Sequence, residues 1–127
     1  MKKAIAPIVF AALWIVFSEF IRNQVLFQDL WVEHYNSMGL TFPTAPINGV
    51  VWMIWSLLFA AVIYVISSKF STRQTILLSW TVGFLMVWLV IGNLGVLPYK
   101  LLIFAVPLSL LEVCVATLLI TKFRKYK

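Results

Sequence analysis

Leu101–Thr121 reads LLIFAVPLSLLEVCVATLLIT, twenty-one residues of membrane-crossing length interrupted by Pro107 and Ser109 and carrying Glu112 near its middle. A carboxylate at that depth is costly in hydrocarbon, so Glu112 is expected to face other helices and not lipid. Pro107 removes one helical backbone bond and frees the carbonyl of Ile103, a group that neighbours must satisfy. Ser109 and Glu112 are three residues apart and share a face, which makes them expected members of one local polar network.

Three further windows have the length and apolarity of a span, about 20 residues for a core about 30 Å thick: Ala4 to Arg22, Ile47 to Ser67 and Thr75 to Val96. With 63% hydrophobic and 11% charged residues, the 127-residue chain falls outside the range of soluble domains. None of the windows alternates apolar and polar residues as a barrel strand would. The expected fold is an all-α integral membrane domain, a four-transmembrane-helix bundle spanning residues 1–127.

The net charge of +6 is not a nucleic-acid footprint, because the basic residues are dispersed at the ends of apolar segments. Four crossings place Lys2, Lys3, Lys69, Arg73, Lys122, Arg124, Lys125 and Lys127 on one side and only Arg22 and Lys100 on the other. The positive-inside rule then makes both termini cytoplasmic, in a cell membrane with a multi-pass chain. Met1-Lys2-Lys3 before an apolar run has the shape of a signal peptide, but the run continues to Ile21 and the first span is expected to be retained. The basic, aromatic tail from Lys122 to Lys127 suits an anionic leaflet.

At the outer end of the first span, Glu19 and Arg22 are three residues apart and able to pair, and Ser18 stands four before Arg22. They form either a local pair with arginine reaching the headgroups or a polar group directed into the bundle. Within the connection Asn23 to Pro46, Phe27, Leu30, Trp31, His34 and Met38 recur at helical spacing, the pattern of an amphipathic helix at the outer interface. Gly39 is its natural stop, and Phe42-Pro43-Thr44-Ala45-Pro46 a stiff descent into the second span, with Thr44 or Ala45 as cap.

Ser56 and Ala60 in the second span, and Ser79 and Gly83 in the third, are small-residue pairs four apart along which helices can approach closely. Counted at about 1.5 Å per residue, Glu19, Asn48 and Asn93 lie within a turn of the outer surface. Trp14, Trp55 and Trp88 form a layer below them with Ser109, and Glu112 is one turn deeper. Glu19, Arg22, Asn48, Asn93, Ser109, Glu112 and the three tryptophans are therefore the candidate ligand-binding residues of an outward-opening cavity.

Such a cavity suits a small molecule or ion, with Glu112 as the responsive group; aromatic faces beside carboxylates favour an organic cation, whereas Arg22 favours an anionic head group. In size and hydropathy alone the chain resembles the small multidrug resistance transporters; the long first connection, the outer position of Glu19 and the mid-span Glu112 depart from that pattern. Four helices enclose little volume, so transport is expected to need a homodimer. A second reading is an enzyme acting on a lipid-like substrate at the outer interface through Glu33, His34, Glu19 or Arg22, although no zinc spacing, activated serine or phosphate loop is present. A third is an accessory or assembly subunit whose polar residues lock helices together or dock a larger membrane partner. Cys114 and His34, each the sole residue of its type, specify no metal site, and no motif specifies a cofactor.

Overall fold

The computed structural model describes residues 2–125 and the side chains of residues 4–124; Lys2, Lys3, Lys125 and Lys127, which contribute to the charge asymmetry, lie outside the described side chains. Helix α1 (Lys2–Phe20) continues through a π-helical turn, Ile21–Leu26, in which the Phe27 amide donates to the Arg22 carbonyl at 3.0 Å. The short α2 (Gln28–Ser37) follows, then α3 (Pro46–Ser67). Helices α4 (Thr72–Trp80) and α5 (Met86–Asn93) form one crossing through the π-helical turn Thr81–Leu85. A 3-10 turn, Tyr99–Leu101, leads into α6 (Leu102–Lys125). The result is an all-helical bundle with four crossings, Ala4–Leu26, Pro46–Ser67, Thr72–Asn93 and Tyr99–Arg124, each long and apolar enough to traverse a bilayer.

The crossings differ from the hydropathy windows at their ends, for reasons local to each end. The π-turn carries the first past Arg22 to Leu26. The third starts early because the Ser71 hydroxyl accepts from the Gln74 amide while the Gln74 side chain accepts from the Ser71 amide, a reciprocal cap. It stops at Asn93, since Gly95 adopts φ 74° and turns the chain back. Helix α2 ends where Gly39 takes φ 71°, and Ala45, extended, caps α3 with Pro46 in its first turn.

The crossings are arranged in a ring, α1 beside α3, α3 beside α4, α4 beside α6 and α6 beside α1, with α3 and α6 also touching across the centre. Ala11, Ala12 and Ile15 of α1, Ala60 and Ile63 of α3, and Val113, Ala116 and Ile120 of α6 make the core. Small residues bring the backbones close enough for dispersion to hold helices that hydrophobicity cannot drive together in lipid. Gly83 shows this most directly: a Cβ there would overlap the ring of Phe59, which is seated against the bare backbone. At the end remote from α2, Arg124 donates to the Ser67 and Tyr64 carbonyls, both at 2.9 Å, and lies 4.7 Å above the Tyr64 ring. Arg124 therefore caps the C-terminus of α3, where a cation is favoured by the helix dipole.

Candidate functional site: a buried Glu–Arg–Glu cluster

Ser18, Glu19, Arg22 and Asn23 recur at intervals of three and four, so the first crossing carries them along one stripe, the first two on α1 and the others on the π-helical turn. That stripe faces α6. Arg22 Nη1 donates to Glu112 Oε2 at 3.0 Å and Nη2 pairs with Glu19 Oε1. The Ser18 hydroxyl donates to Glu112 Oε2 at 2.7 Å. Asn23 Nδ2 donates to Glu19 Oε2 at 2.8 Å, and its Oδ1 accepts from the Trp31 indole at 3.2 Å. The guanidinium carbon lies 4.9 Å from the centre of the Phe84 ring, so α4–α5 supplies an aromatic face beneath the charge. A continuous polar chain thus runs from α2 into the membrane interior: Trp31, Asn23, Glu19, Arg22, Glu112.

Burial is nearly complete, with Glu112 at 0%, Glu19 at 4% and Arg22 at 5% relative exposure. Of the two readings open for Glu19 and Arg22, the structure takes the inward one, and Arg22 bridges to Glu112 instead of reaching the headgroups. Two carboxylates share one guanidinium, and Glu112 Oε1, fully buried, has no hydrogen-bond partner. In ionised form the cluster carries one negative charge in excess.

The other candidate residues divide. Trp14 joins the cluster through the backbone, its indole donating to the Glu112 carbonyl at 2.9 Å. Ser109 is buried but belongs to a separate contact, accepting from the Trp80 indole at 2.9 Å and donating to the Val106 carbonyl at 2.8 Å. Trp55 packs in an aromatic column with Phe59 and Phe84, and Trp88 extends it against Phe84 and Trp80. Trp88 also lines, with Asn93, a hollow between α5 and α6. Asn93 is exposed and Asn48 half-buried, and no side-chain hydrogen bond joins either to the cluster among the described residues. Gly92 points inward, and one residue further along a helix, a rotation of about 100°, carries Asn93 off that face.

Ser18, Asn23, Trp31 and Phe84 are cluster members that depth did not single out. For Ser18 and Asn23 the signal was present in their four-residue spacing from Arg22 and Glu19. For Phe84 no local signal exists. Three further buried hydroxyls, Thr75 and Ser79 on α4 and Thr117 on α6, have no hydrogen-bond partner. The Trp80–Ser109 bond sets the register of these antiparallel helices and places the three hydroxyls from the level of Glu112 toward the end remote from α2.

The two described hollows lie elsewhere. One, about 380 Å³, is held between α2 and the turn before α6; the other, about 240 Å³, runs between α5 and α6. Neither is lined by Glu19, Arg22 or Glu112. Among the described residues no group of three His, Cys, Asp or Glu side chains is placed to hold a metal ion. No protein-family model, curated protein or solved structure matches this chain.

Proposed function

We propose that this small multi-pass membrane protein binds one small cation, a proton or a compact ammonium, at the Glu19–Arg22–Glu112 cluster, and passes it across the bilayer. The observation that carries this reading is the fully buried, donorless Oε1 of Glu112 in a cluster with one carboxylate more than it has cations. A net charge held among helices in hydrocarbon is expensive, and one added positive charge or proton removes it while giving Oε1 its missing partner. Closed packing around the cluster favours an ion of a few atoms over a drug-sized molecule. The polar chain through Asn23 and Trp31 supplies a route from the α2 side, which the positive-inside rule assigns to the exterior of a cell membrane. Ser79, Thr75 and Thr117 supply hydroxyls along the route to the other side.

Proteoliposomes loaded with a pH-reporting dye test this reading under an imposed potassium diffusion potential, with protons alone and with ammonium or sodium added. Wild-type protein should conduct above protein-free vesicles, and Glu112→Gln, which keeps shape and removes the charge, should reduce the flux to that background. Wild-type vesicles no leakier than empty ones under all three conditions would reject the proposal.

A second reading, an assembly subunit, is favoured by one observation: Glu112 Oε2, both carboxylate oxygens of Glu19 and both terminal nitrogens of Arg22 are bonded within the chain and lock α6 to the first crossing. It predicts that Glu112→Gln changes the oligomer or complex isolated in mild detergent while the vesicles never conduct.

A further inference from the structure

The two hollows that the cluster does not use are neighbours, and both are lined by Tyr99. We propose that together they form a binding site for one zwitterionic phospholipid of the leaflet on the α2 side, its headgroup between α2 and the α5–α6 turn and one acyl chain in the α5–α6 groove. This site is independent of Glu112.

The headgroup hollow is bounded by Leu30, Glu33, His34 and Ser37 on α2 and by Pro98, Tyr99 and Lys100 on the turn. It therefore presents one carboxylate and one ammonium from opposite walls. Both side chains are exposed, and among the described residues neither forms an ion pair. That charge arrangement matches a phosphate on the Lys100 side and an ammonium on the Glu33 side; an anionic headgroup would meet the Glu33 carboxylate without compensation. The walls are fixed relative to each other, because His34 Nε2 donates to the Gly95 carbonyl at 2.7 Å and so ties α2 to the turn.

The groove below is largely apolar, formed by Trp80, Trp88, Leu97, Leu102 and Val106, with Gly92 as part of its floor and Asn93 also in its lining. From Trp80 to Asn93 the helix rises about 20 Å, enough for a chain that must cross half of a core about 30 Å thick. Tyr99 stands between headgroup space and groove. Its hydroxyl donates to the Gly92 carbonyl at 2.7 Å, and a Cβ on Gly92 would come within 3.3 Å of its ring and oxygen. An aromatic ring with its polar tip satisfied at the interface is suited to the glycerol region of a lipid.

Native mass spectrometry of the full chain, released from micelles doped with phosphatidylethanolamine, phosphatidylglycerol or glycerophosphoethanolamine lacking acyl chains, tests the site. Wild type should retain phosphatidylethanolamine about tenfold over phosphatidylglycerol and should not retain the tail-free headgroup. Lys100→Glu should lower retention of both lipids while leaving phosphatidylethanolamine preferred, and Glu33→Lys should turn the preference toward phosphatidylglycerol. Val106→Trp, which fills the groove, should reduce lipid retention without altering headgroup preference. Equal retention of the two lipids by wild type, indifference to Glu33→Lys or Val106→Trp, or retention of the tail-free headgroup at the level of the lipid would each overturn the proposal. Glu33 and Lys100 lie on the exposed surface, so their variants report on binding without disturbing the core.

Discussion

Replacing Arg22 by glutamine keeps a polar side chain but removes the one cation between Glu19 and Glu112. Arg22 makes charge-assisted contacts to both carboxylates and rests over Phe84. Removing one partner of a buried ion pair costs about 3–5 kcal/mol, chiefly because the remaining charge is left uncompensated; the lost cation–π contact adds about 0.5–2 kcal/mol. The single variant should therefore be destabilised by roughly 3–7 kcal/mol, a large share of the total stability of about 5–15 kcal/mol typical of a folded domain. The second variant, Arg22→Gln with Glu112→Gln, removes a charge from each side of the pair and should recover about 1–3 kcal/mol relative to additivity. Titration with a denaturing detergent, followed by circular dichroism, measures both. Arg22→Gln as stable as wild type, or a double variant whose loss equals the sum of the single losses, would refute the claim that Arg22 compensates Glu112.

Three smaller perturbations test the frame around the cluster. Gly83→Ala forces a methyl into the Phe59 ring and should cost about 1–3 kcal/mol, read in the same detergent titration. Trp31→Phe removes the donor to Asn23, and hydrogen–deuterium exchange should show faster opening of α2 with little change in α6, for a loss of about 0.5–1.5 kcal/mol. Ser71→Ala breaks the reciprocal cap at the start of α4, and a loss of about 1 kcal/mol with faster exchange confined to the first turn of α4 is the expected outcome.

Hydropathy, helical spacing and charge distribution made most of the architecture legible. Gly39 and the Phe42–Pro46 segment marked the end of α2 and the entry to α3, and the structure places both there. The π-helical extension beyond Arg22 was not legible. No residue between Ile21 and Leu26 distinguishes a widened turn from an ordinary one, and the choice depends on what α1 packs against. Within the cluster, Glu19, Arg22 and Glu112 were visible as charges that hydrocarbon would not tolerate unaccompanied. Asn93 matched Glu19 by depth and Ser109 shared a face with Glu112, yet Ser109 bonds to Trp80 and Asn93 is exposed.

The amino-acid sequence by itself determined that four membrane-length crossings form, roughly where each begins, and that Glu112 must find company. Only the tertiary structure decided which company: Arg22 and Ser18 from the first crossing, with Phe84 of the third beneath the guanidinium. The reason is geometric. Rise along a helix is a property of the chain alone, whereas the direction a side chain meets a neighbour depends on the rotation and contact of two helices, which small residues such as Gly83 and Ala60 settle through packing.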